Sequence, residues 1–202
     1  MINEQLFAYL CAVKLKDEAK ADLIFAATCR LVGRVGIAGL TMATIAREAK
    51  LATGTLYTYF QNKEDLLRAL YRYVKRRVTN TLFLDFNEQE PLRVALQKIW
   101  HNYLFTRLDS FDESVFLEQY YTSPYMQADE MQMSLDMMAP LFRLFDRGKQ
   151  GLLIKNLDNT LLAIYLMGPL RELAALIRLQ GGAGQSELLE TAFSLCWDGI
   201  KT

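Results

Sequence analysis

Apolar residues recur along this chain at three- and four-residue intervals, the period of an α-helix, and almost nowhere alternate one by one. Within residues 16–35, Ala19, Leu23, Phe25, Ala26, Cys29, Leu31 and Val32 form one stripe, which breaks at Gly33, Gly36 and Gly39. Thr41 follows in an N-cap position, where its hydroxyl accepts a bond from a free backbone N–H. The short helix it opens turns Ile45, Ala46 and Ala49 inward, and Leu51-Ala52 makes a tight turn. Thr53 or Gly54 opens a second short helix, TGTLYTYF, with Leu56 and Phe60 facing inward beside Ile45. Asn62 caps a longer helix running toward Phe83, with Glu64 and Asp65 placed favourably in its first turn. The spacing predicts further helices over about 90–108, from 112 to just before Ser123-Pro124, and over about 127–147, 158–180 and 186–200. Pro140 and Pro169 fall inside two of these patterns and predict kinks. Gly181 to Gly184 read as a loop. Ile2, Leu6, Phe7, Leu10 and Val13 repeat at helical spacing, so residues 1–15 are expected to form an extra helical segment lying on the body of the protein. The fold class is all-α.

Composition narrows the classes. With 202 residues, 51% hydrophobic and 23% charged, the chain is expected to fold as one large domain or two small ones without disulfide support. The net charge of zero conceals a division: residues 1–80 hold 13 basic and 7 acidic side chains, and residues 81–202 hold 10 and 16. A front of +6 and a rear of −6 direct only the front toward a polyanion. Cys11, Cys29 and Cys196 match no disulfide or metal spacing and suit a reducing compartment. His101 is the only histidine, with no cysteine beside it, so neither a metal site nor a cofactor is expected. No nucleophile elbow or phosphate-cradling glycine loop is present, which argues against an enzyme. No basic leader precedes an apolar run, and no stretch of 18 apolar residues lacks a charge, so a cytoplasmic protein that does not span a membrane is expected.

Two short helices joined by a tight turn behind a longer helix have the form of a helix-turn-helix reader of duplex DNA. The second helix is unusual for a surface: Thr53, Gly54, Thr55, Tyr57, Thr58 and Tyr59 are small or hydrogen-bonding and uncharged. Small residues permit close approach, threonine methyls suit the thymine methyl, and hydroxyls meet base edges or phosphates. The run LTMATIAREAKLATGTLYTYFQNKEDLLRAL, residues 40–70, closely resembles the DNA-binding region of the TetR family of transcriptional regulators, and residues 16–36 fit that family's first helix. The resemblance implies an N-terminal three-helix helix-turn-helix DNA-binding domain followed by a C-terminal helical ligand-binding and dimerisation domain. The expected division is a segment 1–15, a DNA-binding domain 16–62, a connecting helix 63–84 and a larger domain 85–202. Carried over position by position, Thr41, Tyr57 and Lys63 would meet phosphates, while Thr53, Gly54, Thr58 and Tyr59 would approach bases or flanking phosphates. Thr44 and Arg47 on the bracing helix are weaker candidates. Lys50 stands where the family commonly has glycine in the turn, so it is expected to accept a left-handed conformation at some cost.

The rear half is rich in large apolar side chains. Trp100, Tyr103, Leu104, Phe116, Tyr120, Tyr121, Met133, Met137, Met138, Phe142 and Tyr165 come from several helices and are candidates for lining a pocket. In the last two predicted helices, Leu161, Leu162, Tyr165, Leu166, Leu173 and Leu176, with Phe193, Cys196, Trp197 and Ile200, are expected to form a homodimer interface of the kind the family builds. The combined expectation is a homodimeric repressor released from a palindromic DNA operator by a small, apolar or amphipathic effector. An activator, or a protein-sensing regulator of the same fold, is the alternative. A redox-sensing DNA binder and an enzyme are weaker rivals.

Overall fold

The computed structural model describes the backbone of residues 4–180 and 185–202, and the side chains of residues 19–180 and 186–202. The expectations for the residue 1–15 side chains, for Cys11 and for the 181–184 loop lie outside the described residues. Eleven helices are present among those described: α1 Glu4–Val35, α2 Met42–Glu48, α3 Thr53–Tyr59, α4 Lys63–Leu82, α5 Leu92–Asp109, α6 Phe111–Tyr121, α7 Ala128–Met137, α8 Ala139–Gln150, α9 Asn159–Met167, α10 Leu170–Leu179 and α11 Gln185–Ile200. No strand occurs among the described residues beyond one isolated antiparallel bridge, Ile154 to Lys201.

Three boundaries differ from the sequence pattern, each for a local reason. The backbone of α1 is one helix from Glu4 to Val35, so residues 4–15 form no separate segment. The Met-rich stretch divides at Met138 into α7 and α8, and the stretch after Asp158 divides at Gly168-Pro169 into α9 and α10. Pro140 and Pro169 therefore stand at helix starts and do not kink helix interiors; a missing N–H costs nothing there. By length and composition alone, Asn159–Leu179 is apolar enough to cross a membrane, though it carries Arg171, Glu172 and Arg178; 28% of its apolar 18-residue window is buried.

The chain forms two compact units. One runs to Tyr73 and includes Asp112–Met126; the other comprises Val74–Phe111 and Gln127–Thr202. This differs from a contiguous division near residue 85, because α6 supplies core to the first unit. There Tyr71 and Tyr120 stack with ring centroids 4.6 Å apart, and Phe116 lies 5.6 Å from Tyr120. Gln119 accepts a bond from the Ile37 N–H at 3.1 Å and donates to the Val32 carbonyl at 3.4 Å, satisfying backbone groups where α1 ends. α2 packs on both α1 and α3. Thr41 caps α2: its hydroxyl accepts from Thr44 N at 3.1 Å, and the Thr44 hydroxyl accepts from Thr41 N at 3.0 Å.

The turn after α2 is a Schellman motif. Leu51 N donates to Ala46 O at 2.9 Å, and Lys50 N donates to Arg47 O at 3.2 Å. Lys50 holds the left-handed position with φ 57°, as its place in the turn leads one to expect.

In the second unit α5 contacts α8, α9, α10 and α11. Leu96, Ile99, Trp100 and Leu104 of α5 are fully buried with Phe145, Leu166 and Phe193. His101 is half-buried, its ring 5.4 Å from Trp100. Desolvation lowers its pKa below the ordinary 6.5, an effect that Glu190 partly opposes.

Two stability measurements check this description. Lys50→Gly is expected to raise stability by up to about 1 kcal/mol, or roughly 2–4 °C in melting temperature, by relieving the left-handed strain. An unchanged or lower melting temperature would show that the turn stores none. Because the folded form of His101 binds its proton less readily than the unfolded form, its contribution to stability is complete above about pH 6.5. That contribution falls as the pH drops below this value, at no more than about 1.4 kcal/mol per pH unit. Melting followed between pH 7 and 5.5 is expected to be flatter for His101→Gln than for the parent protein.

Candidate functional site

α3 is only seven residues long, and its two faces differ completely. Leu56 is fully buried, and Phe60, just beyond the helix, is 7% exposed beside Phe25. Thr53, Gly54, Tyr57 and Thr58 are exposed, Tyr57 to 55%. Thr55 and Tyr59 are half-buried, the Tyr59 ring lying 6.3 Å from Phe60. The Thr58 hydroxyl donates to Gly54 O at 3.2 Å, which leaves its oxygen as an acceptor. A Cβ added at Gly54 would meet nothing within 4 Å, so no neighbour in this chain requires glycine there.

The other candidates in this unit sit around that helix. Thr41 and Arg47 are exposed and Thr44 is half-buried. Arg30 of α1 donates to Glu48 at 3.1 Å, and Arg34 bonds the other carboxylate oxygen. Those bonds, Arg34 first, hold the Glu48 carboxyl below its ordinary pKa and tie α1 to the end of α2. Lys63 is half-buried, its ammonium 5.5 Å from the centroid of the Tyr125 ring. The unit thus brings Thr41, Arg47, Thr53, Gly54, Tyr57 and Thr58 to the surface, with Thr44, Thr55, Tyr59 and Lys63 partly withdrawn.

The pocket candidates do not gather in one place. Phe116 and Tyr120 belong to the core of the first unit and Tyr121 is exposed there, because α6 packs with α1 and α4 residues of that unit. Leu104 is solid core of the second unit. Met133 and Met137 are half-buried, and Met137 accepts a weak bond from the Thr79 hydroxyl at 3.9 Å. Two of the cavities within the second unit hold some of these candidates. One, about 250 Å³, is lined by Tyr103, Met138 and Phe142 together with Lys75, Thr79 and others. The second, about 620 Å³, opens on α9, α10 and α11 and is lined by Trp100 and Tyr165. Lys75 was not singled out by its sequence. Its spacing from Val78, Thr79 and Leu82 puts it on their face of α4, but the run Lys75-Arg76-Arg77 reads as a solvated patch. Burial lowers the Lys75 pKa.

The expected interface residues are also corrected. Leu162, Leu166, Leu173, Phe193, Cys196 and Ile200 face inward, and Trp197 is half-buried. They are the stripe that meets α5, so the core claims them. Leu161 and Tyr165 are about half-exposed, and Ile164, Leu176, Leu179 and Leu195 stand outward beside them. Cys29 and Cys196 are buried, and burial raises the Cys196 pKa, which is unlike a reactive thiolate. No cluster of metal-ligating side chains occurs among the described residues.

Comparison with known proteins places this geometry. The sequence model described as "Bacterial regulatory proteins, tetR family" matches residues 24–70, and "Tetracyclin repressor-like, C-terminal domain" matches residues 91–201. A crystal structure of a TetR family transcription regulator from Marinobacter aquaeolei VT8 is 30% identical, covers 93% of this chain and 98% of its own, and superposes with a TM-score of 0.85. A putative TetR family regulator from Vibrio parahaemolyticus is 28% identical over 91% of this chain and 99% of its own, with a TM-score of 0.76. An uncharacterised HTH-type transcriptional regulator of Haemophilus influenzae is 41% identical over 88 residues, which are 42% of this chain and 47% of that protein. The matched stretch thus spans less than half the length of that curated relative. These relatives are transcription regulators and not enzymes. With both of its parts matched and its fold shared over nearly the full length, the chain belongs to the TetR family of bacterial regulatory proteins.

Proposed function

We propose that this chain is a ligand-regulated transcriptional repressor of the cytoplasm. In this reading a homodimer binds a palindromic operator and leaves it when a small apolar or amphipathic molecule enters the second unit. The outward face of α3 carries the reading. Its side chains Thr53, Tyr57 and Thr58 are exposed hydroxyl bearers, and Gly54 leaves open space where a major-groove floor would come. Thr53, Thr55, Tyr57, Thr58 and Tyr59 contact bases or flanking phosphates. The Thr41 hydroxyl accepts from Thr44 N and donates to the Thr44 hydroxyl at 3.1 Å; turned outward, that O–H reaches a phosphate. Thr44, Arg47 and Lys63 add backbone contacts, and Lys50 stands within the same turn.

Dimerisation uses the outward apolar residues of α9, α10 and α11, with Leu161, Tyr165 and Leu176 retained from the expected set and Ile164 and Leu195 added. An apolar face of this kind on a soluble chain is covered by a partner. The twofold pair then spaces two α3 helices to successive major grooves. α4 is the lever: one continuous helix of 20 residues whose first half belongs to the reading unit and whose second half lines the 250 Å³ cavity. A ligand that prefers the non-binding arrangement about 100-fold shifts the equilibrium by roughly 2.7 kcal/mol.

Two experiments test the reading. Gly54→Ala is expected to raise stability by about 1 kcal/mol, because alanine is the better helix former. The same change is expected to weaken binding to the operator recovered by selection from random duplexes. Undiminished affinity would remove α3 from the groove. Ile164→Glu is expected to convert the dimer to a folded monomer in sedimentation equilibrium, and an unaltered mass would place the interface elsewhere.

A further inference from the structure

The 250 Å³ cavity of the second unit is apolar on most sides, with Val78 and Leu82 of α4, Leu135 of α7, Phe142 of α8, and Ala163 and Met167 of α9 in its wall. Its polar groups are few: the ammonium of Lys75 and the hydroxyls of Thr79, Tyr103 and Thr160. Lys75 is half-buried, and no carboxylate or hydrogen-bond acceptor meets its ammonium among the described residues. Three other partly buried cations of this unit have partners. Lys98 bonds Glu90 at 2.6 Å, Lys149 bonds Asp146 at 2.9 Å and Asn159 at 2.8 Å, and Arg147 donates to the Glu88 and Glu90 carbonyls. Withdrawing an ammonium from water without a counterion is costly, so an unmet Lys75 at the wall of a cavity marks a place where something else supplies the charge. Thr79 points to the same conclusion. It is 8% exposed, and among the described residues its hydroxyl has only the Met137 sulfur, 3.9 Å away, a weak acceptor that an oxyanion would surpass.

We propose that this cavity binds an amphipathic monoanion, an apolar body carrying one carboxylate, with the carboxylate held by Lys75 and assisted by the Thr79 hydroxyl. At roughly 30 Å³ per water-sized group, the space accommodates a body of about eight heavy atoms. Lys75 and Thr79 both lie on α4, so the charged end of the ligand engages the lever directly. The inference rests on the effector reading above for its regulatory use, but the binding itself stands apart from it.

The test is calorimetric titration of the full chain with octanoate and phenylacetate, each paired with its neutral amide. At least one acid is expected to bind the parent protein ten-fold or more tightly than its amide. The ratio is expected to fall to near one in Lys75→Met, whose melting temperature confirms that it folds. Ala163→Phe, which fills the cavity, is expected to abolish binding of acid and amide alike. Equal affinity for acid and amide, an acid preference that survives Lys75→Met, or no binding of either acid at millimolar concentration would each overturn the site. DNA binding measured in parallel separates the two readings. An acid that binds through Lys75 and leaves DNA affinity unchanged removes the effector role and keeps the anion site. Release from DNA by the amides as readily as by the acids keeps the effector role and overturns the anion site.

Discussion

The division of α3 between a buried and an open face is the constraint on which the rest depends. Seven residues make barely two turns, and a helix that short does not persist alone in water. Leu56 and Phe60 supply what it lacks: each large apolar side chain removed from water contributes about 1.5–3 kcal/mol, and together they fix which side of the helix looks outward. The Schellman turn through Lys50 then sets the angle between α2 and α3, and the pairing of Glu48 with Arg30 and Arg34 fixes α2 to α1.

Much of this was legible in the sequence because it is local. The cap at Thr41, the inward positions Ile45, Leu56 and Phe60, and the left-handed Lys50 each follow from a few neighbouring residues, and the structure has all of them. The second unit was legible as helices but not as a surface. In α9 apolar residues surround most of the helix, so periodicity alone does not choose between an inward and an outward stripe; α10 has one clear stripe, Leu170, Leu173, Ala174 and Ile177, but periodicity does not say that it meets α5. The pattern offers Leu162, Leu166 and Leu173 to a partner, yet they are core, while Ile164 stands outward. The breaks at Met138 and at Gly168-Pro169 were hidden because a proline inside an unbroken pattern reads equally well as a kink or as a fresh start.

Candidate pocket residues failed for a different reason. Aromatic and methionine side chains mark burial, not vacancy, and only the tertiary arrangement tells a filled core from a hollow one. Of the residues chosen for bulk, Phe116, Tyr120 and Leu104 fill space completely. The informative residue was a cation, Lys75, whose meaning depends on the absence of a nearby carboxylate, and no reading of linear order supplies that.

The partition of α6 bears on how this regulator can be rearranged. Tyr71 is 2% exposed only because Tyr120, some fifty residues later in the chain, covers it, and Gln119 completes the backbone bonding at the end of α1. The reading head is therefore not a portable cassette. A chimera spliced in the acidic 85–90 loop would carry the recognition helix away from part of its own core, leaving Tyr71 wet and the Ile37 N–H without its acceptor. A graft that preserves the head must bring residues 112–126 with it, or must find a foreign helix that presents an aromatic ring and an amide at the same two places.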